Sequence, residues 1–257
     1  MINKKYLKLL RSNKKFERDN FIYKLIGKRI IDSIDLIKID AENILEIGIN
    51  DNSILDYIKD RFDNSRIYRA DLCPSKIDNN KFNFLEIDVD ILNLKENSFD
   101  IIYSNFFFHI TNSIGKKLKS VEQSLKPGGF FICAIPDIEN IFQLLNSMYK
   151  TDILLYNGAY QRVNPTIEVN KILTILQKLN FDNPSIYLDT IAIEYTNFNK
   201  LLLDVKKMNM SYCYSDKKNT FENKKYFEKL DEVYKENFFD KSYNLDIKIN
   251  IISAWKK

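Results

Sequence analysis

The sequence predicts an α/β protein: a seven-stranded, mostly parallel sheet with helices on both faces and a helical insertion before the last strand. Three observations predict it. Short apolar runs ending in Gly or Asp alternate with stretches of helical spacing between residues 43 and 135. At 257 residues the chain only modestly exceeds one domain, which suits one α/β unit with an inserted or appended piece. Its 45% hydrophobic and 29% charged content is the balance of a chain folded throughout.

The elements follow in order. From Phe21 to Ile37, residues Ile22, Leu25, Ile26, Ile30, Ile34 and Leu36 recur at helical spacing and predict a leading helix. Asn43 to Gly48 (NILEIG) reads as the first buried strand, and Ser53 to Phe62 as the helix after it. Further strands are expected at Arg66 to Asp71, Asn83 to Asp88, Phe99 to Asn105 and Phe130 to Ile135. A helix over Ile114 to Leu125 should be stopped by Lys126, Pro127, Gly128 and Gly129. Beyond Asp137 come a helix to Tyr149, a loop around Asn157 to Pro165, and a helix from Glu168 to Leu179. Ser185 to Asp189 is the sixth strand and Ile247 to Trp255 the last, with helices over Asn199 to Met208 and Phe221 to Asn237 between them. In the second of these, Phe227, Leu230, Val233, Tyr234 and Phe238 share one face, which reads as core packing ahead of a binding face. The expected organisation is residues 1–40 as an N-terminal helical segment, 41–195 as the main sheet domain, 196–245 as an insertion and 246–257 as the final strand.

Composition excludes some functions. A net charge of +4, from 39 basic and 35 acidic residues, gives no case for nucleic-acid binding. Lys4, Lys5, Lys8, Arg11, Lys14, Lys15 and Arg18 lie together with only Glu17 among them, and two readings stand: an arm steering an acidic partner, or a mobile tail. Cys73, Cys133 and Cys213 lack the close pairs of zinc or redox motifs, so no metal site is expected. Without an apolar leader or a membrane-length run, a monomer in the cytoplasm is expected.

In an open parallel sheet, ligands sit beyond the carboxyl ends of the strands, where strand order reverses. The first strand runs into Glu46, Gly48, Ile49, Asn50, Asp51 and Asn52, where Gly lets a ligand approach the backbone and the next helix offers free N–H groups. Asp71, ending the second strand, suits the two hydroxyls of a ribose. Asp88, ending the third, suits an exocyclic amine such as that of adenine. Singly, each is as well explained as a turn or cap former.

Taken in series, LEIGIN, Asp71, Asp88, NSFDIIYSN and LKPGGFFICAIPD resemble the Rossmann-like class I S-adenosylmethionine-dependent methyltransferases over about residues 20–195, with LKPGGFF the most specific segment. That resemblance implies S-adenosylmethionine as cofactor. It places Glu46, Gly48, Ile49 and Asn50 near the methionine part, Asp71 with Leu72 on the ribose, Asp88 with Val89 at the adenine, and Asn105 with Phe106 beside the transferred methyl. A methyl sulfonium is already a strong electrophile, so alignment of the nucleophile and exclusion of water suffice, with no obligatory triad. The sequence departs from the family where Asn50 and Asn52 replace customary glycines. Asn tolerates left-handed angles, so the turn can survive, though its side chain claims cofactor space and an inactive relative is the other reading.

The flanks narrow the resemblance. FHITN after the fourth strand, GAYQRVNPT, YTNFNKLLLDVKKMNMSY and a chain end with Trp255 look like the subgroup holding malonyl-acyl-carrier-protein O-methyltransferase of biotin biosynthesis (BioC) and assembly factors of respiratory complex I. In it the helices before the last strand form a lid over the substrate. Membership implies methylation of the free carboxylate of a malonyl thioester on acyl carrier protein. An ionised carboxylate needs no general base, only a cation or donors to orient it. His109 and Arg162 are the candidates; His109 could equally cap a helix and Arg162 lie on a surface loop. The other implied readings are modification of an arginine on a respiratory subunit, and a non-catalytic assembly protein. A nicotinamide dehydrogenase is disfavoured, because one Gly cannot build the pyrophosphate turn.

Overall fold

A computed structural model describes residues 1–12, 21–73, 82–208, 210–218 and 222–257. Lys14, Lys15, Glu17, Arg18, Asn209 and Phe221 lie outside the described residues. Among the described residues, no helix is long and apolar enough to cross a membrane.

Strands β1 (Asn43–Ile47), β2 (Arg66–Asp71), β3 (Asn83–Glu86), β4 (Phe99–Asn105) and β5 (Leu125–Pro136) are parallel, in the spatial order β3-β2-β1-β4-β5. The sheet continues through β8 (Ser242–Lys256), antiparallel to β5 and to β6 (Phe181–Tyr195), the edge strand. A two-residue β7 (Phe239–Asp240) pairs with β8 beside these seven principal strands. Strand order reverses between β1 and β4, so the loops after those strands open a crevice there.

Both faces of β1 are covered because its side chains alternate between two cores. Ile44 joins Ile101, Tyr103 and Ile132 beneath α2 (Phe21–Asp35) and α3 (Ser53–Arg61). Leu45 and Ile47 join Ile102, Phe131 and Cys133 against α4 (Ile114–Ser124) and α6 (Val169–Lys178). On the α2 side the first core extends through Leu144 of α5 (Phe142–Tyr156), through α7 (Phe198–Lys207) and α8 (Lys224–Phe238). Leu230, Val233 and Tyr234 of α8 are buried while Phe227 is exposed, so most of the apolar stripe is core.

Several elements differ from expectation, among them β3, which ends at Glu86 instead of Asp88, and β8, which begins at Ser242 instead of Ile247. The helix over Ile114 ends at Ser124 and LKPGG already belongs to β5, where the register with β4 shifts between Phe99 and Ile101. Gly128, at φ +76°, makes that bulge possible. Helix α5 runs past Tyr149 to Tyr156 and stops where Asn157 turns left-handed. Strand β6 is three times the expected length, because an edge strand half open to water carries polar residues among its apolar ones, and Pro184 fits at its bulge. Finally, residues Lys4–Ser12 form a helix, α1, instead of a tail: Leu7 is buried in the second core, Asn3 donates its N–H to the Cys213 carbonyl, and Ile2 bridges Tyr214.

Candidate functional site

The loop after β1 begins at Gly48, whose φ of +82° and position admit only glycine: a Cβ there would fall 2.2 Å from the Phe107 Cβ. The Gly48 N–H donates to the Ala70 carbonyl, and the Ile49 N–H donates to Asp71 Oδ2 at 2.8 Å. Neither Asn50 nor Asn52 is left-handed, so the expected tolerance of Asn for such angles is not what carries the turn. Their amides are tied down instead. Asn50 Nδ2 donates to the Asn105 carbonyl at 2.5 Å, joining the tips of β1 and β4, and Asn52 Oδ1 accepts from Arg69 Nη1.

Glu46, expected near the methionine part, forms a buried pair with Arg69 of β2, with Nε donating to Oε2 at 2.5 Å. Arg69 is fully buried and its planar fork reaches from that carboxylate to Asn52, locking the turn from beneath.

Asp71 is buried at the tip of β2, as expected of a ribose acceptor, but its oxygens are coordinated from within the chain. Oδ1 accepts from Arg11 Nε and from the Leu72 N–H, both at 2.7 Å; Oδ2 accepts from Ile49 and from Arg11 Nη2. Arg11 comes from α1, lies over the Phe107 ring at 4.5 Å, and donates to the Ile49 carbonyl at 3.2 Å. Two further lysines of α1 meet the tip of β3: Lys4 pairs with Asp88 and Lys8 with Glu86. Partial burial would raise the Asp88 carboxyl, but the bond and charge of the Lys4 ammonium together with the Asp90 N–H hold it below its usual range. Val89 is buried in the second core. Asp90 binds the Thr111 hydroxyl and the Asn112 backbone and side-chain amides, and Asn112 Oδ1 accepts from the Ile2 N–H.

On the other side of Gly48 lie Asn105 and Phe106. Asn105 Nδ2 donates to the Tyr23 carbonyl, while its Oδ1 and the Asp51 Oδ2 are buried without a partner among the described residues. Burial raises the Asp51 carboxyl, with two bonds from Ser53 opposing. Phe106 takes a left-handed φ of +56°, a strained conformation typical of functional loops, and its ring meets Tyr23 and His109 edge-on.

His109 is buried, and burial together with the nearby Lys117 pushes it down to about 3, so it is neutral and binds no anion through charge. It caps no helix: α4 begins after Ser113. Lys117, not expected from the sequence, anchors this loop by donating to the carbonyls of Phe108 and Ile110 at 3.1 Å, and burial lowers its ammonium to about 7. Arg162 lies far along the chain beside α5. It grips buried Asp152 through two nitrogens, donates to Glu222 at 2.9 Å and stacks on Tyr226 at 4.4 Å. These carboxylates keep its guanidinium firmly charged although burial opposes it. Arg162 is therefore committed internally, whereas His109 is neutral and its Nδ1 is buried without a partner among the described residues.

The residues fit an adenosyl sulfonium in two halves. At the methionine end, the orphaned acceptors of Asn105 and Asp51 suit an ammonium group. At the adenosyl end, Asp71 and Asp88 follow neighbouring strands and have the residue type required, with Asp71 fully buried and α1 docked over both. A cavity of about 660 Å³ is lined by Glu42, Arg66, Ser98 and Lys126 at the amino-terminal ends of β1, β2, β4 and β5 and runs along β3 to Glu86 and Ile87. Arg11 was legible only through spacing: Lys4, Leu7, Lys8 and Arg11 fall on one helical face.

Residues 45–133 match the family described as Methyltransferase domain. The mouse (Mus musculus) mitochondrial arginine-hydroxylase NDUFAF5 is 24% identical over 76% of this chain and 58% of its own length, so the chain spans less than two thirds of that relative. Malonyl-[acyl-carrier protein] O-methyltransferase 1 of Coxiella burnetii is 17% identical over 79% of this chain and 69% of its own. Among solved structures, a SAM-dependent methyltransferase from Archaeoglobus fulgidus superposes with a TM-score of 0.53 at 15% identity, over 91% of this chain and 94% of that one. The fold is shared, with α1 seated where the strand tips converge.

Proposed function

From the premise that this chain carries an S-adenosylmethionine-dependent methyltransferase domain of class I fold, we propose that it transfers a methyl group to the free carboxylate of a malonyl thioester on acyl carrier protein. The observation that carries the methyl-transfer reading is the convergence of Asp71, Asp88 and the Gly48 turn at the strand-order reversal. Asp71 would hold the ribose hydroxyls, Asp88 and Val89 the adenine, and Asp51 with Asn105 the ammonium. The bound cofactor supplies a methyl already activated as a sulfonium. What remains for the protein is to align the acceptor and exclude water, and Phe106, following the tip of β4, suits that task. The acceptor reading is supported by the likeness to the Coxiella enzyme and by the motifs shared with its subgroup.

A second reading is modification of an arginine on a respiratory-complex subunit, favoured by the hydroxylase relative. The neutral state of His109 and the two carboxylates on Arg162 also favour it, since neither residue then offers an unneutralised cation to a carboxylate substrate. Complementation separates the two. Growth of a biotin-requiring strain that lacks its own malonyl carboxyl methyltransferase, with a methyl ester appearing on malonyl-acyl carrier protein by mass spectrometry, is the expected result. A well-expressed protein that restores neither growth nor ester removes the carboxylate reading. If it also fails to bind S-adenosylhomocysteine, a non-catalytic assembly role stands ahead.

A further inference from the structure

We infer that α1 is an internal competitor for the adenosyl crevice: Arg11 occupies the acceptors of Asp71, and a cofactor ribose can take them only after α1 withdraws. The inference rests on the cofactor reading above and goes beyond it, because that reading alone leaves the affinity of the site unregulated. A carboxylate has room for about four donors, and Asp71 receives two from Arg11 and one each from Ile49 and Leu72. With the Arg11 side chain 2% exposed and that of Asp71 at 0%, a ribose diol has no approach to those lone pairs while the pair is intact.

The docking is built along the whole helix. Lys4, Lys8 and Arg11 follow one another at four and three residues, so their cations descend one face and meet Asp88, Glu86 and Asp71 in turn. Leu7, on the same face, is fully buried. The Phe107 ring takes part in the contact, with the Arg11 guanidinium 4.5 Å and the Lys117 side-chain nitrogen 4.7 Å from its centre. Two of the three acids that α1 covers are those placed to read the ribose and the adenine, so the helix acts as a substitute for the adenosyl group's donors.

Docked and withdrawn states then share one equilibrium, and the apparent affinity for cofactor falls by the fraction of molecules in the open state. Salt should weaken the exposed pairs of Lys4 and Lys8 and so tighten the binding of S-adenosylhomocysteine, whose own charges cancel. The test is calorimetry of the full chain with S-adenosylhomocysteine, comparing the wild type, Arg11→Ala, and a Lys4→Glu/Lys8→Glu double variant that loosens α1 without altering the buried pair. Both variants should bind at least about tenfold tighter than the wild type. In hydrogen exchange, ligand should speed exchange of the wild-type amides over Lys4–Ser12. Wild-type binding with no gain in the variants, or with ligand protection of α1, overturns the competitor while leaving the cofactor reading intact. Absence of binding in all three proteins overturns both.

Discussion

The Arg11 guanidinium and the Asp71 carboxylate form a two-pronged, buried ion pair that ties the first helix to the tip of the second strand, 60 residues along the chain. Breaking it from one side leaves a charge in the interior without its partner. Asp71→Ala should therefore destabilise the fold by about 3–5 kcal/mol, and Arg11→Ala/Asp71→Ala by less than the sum of the two single changes. Urea titration of the four proteins checks the coupling. The Asp71→Ala variant should also lose affinity for S-adenosylhomocysteine relative to Arg11→Ala.

Gly48→Ala meets two penalties at once. The left-handed backbone costs about 1–2 kcal/mol for any residue with a Cβ, and the added methyl would sit 2.2 Å from Phe107. A loss well above the backbone cost alone is expected in denaturant unfolding. Phe107→Ala keeps the Cβ that the new methyl meets at 2.2 Å, so adding it should not rescue Gly48→Ala, and full recovery in the double variant would show the loop to have relaxed.

His109 makes the fold sensitive to acid. Its folded value is pushed down to about 3 from an ordinary 6.5, so below pH 6.5 the unfolded chain takes up a proton that the folded chain refuses. Stability from this group is complete above pH 6.5 and lost as pH falls toward 3. Compared with the wild type, His109→Phe should flatten the stability curve in that window by at most about 1.4 kcal/mol per pH unit, as measured by thermal melts at stepped pH. Identical slopes would show His109 to be hydrated and protonated.

Lys117 gives the same sign at the other end of the scale. With its folded value lowered to about 7 from 10.5, the unfolded chain holds the extra proton between those limits, and stability rises as pH climbs through them. Lys117→Met should remove that rise. It should also cost about 1–3 kcal/mol at neutral pH by leaving the Phe108 and Ile110 carbonyls unpaired. Chemical denaturation at pH 7 and pH 9.5 reads both effects.

Arg162→Lys should fail to replace the arginine. A single ammonium cannot reproduce the fork on Asp152 together with the bond to Glu222, and Asp152 is buried. A melting-temperature loss in the lysine variant approaching that of Arg162→Ala is the expected outcome.

The parallel half of the sheet was legible because each of its strands is a short apolar run ending in a turn residue; Arg66–Asp71 and Phe99–Asn105 match the expected limits at both ends. Less was legible where a strand is half wet, as in β6, or where one bulge makes a helix stop look like a turn, as at Gly128. In the candidate site, Asp71 ends β2 as expected, whereas β3 stops at Glu86 and Asp88 lies two residues beyond it. Their partners were hidden, since Arg11 and Lys4 are 60 and 84 residues distant from the acids they meet, and no local pattern encodes that meeting. The states of His109 and Arg162 were hidden too, because burial and three-dimensional neighbours set them.

Strand β8 is last in sequence and yet inside the sheet, zipped to β5 from Phe130↔Trp255 on one edge and to β6 from Phe181↔Lys256 on the other. During synthesis on the ribosome, β6 has nothing to pair with until these residues emerge, and its polar edge composition keeps the waiting segment from sticking to itself. Completion of the sheet is thus a late event, timed by the arrival of the carboxyl-terminal stretch.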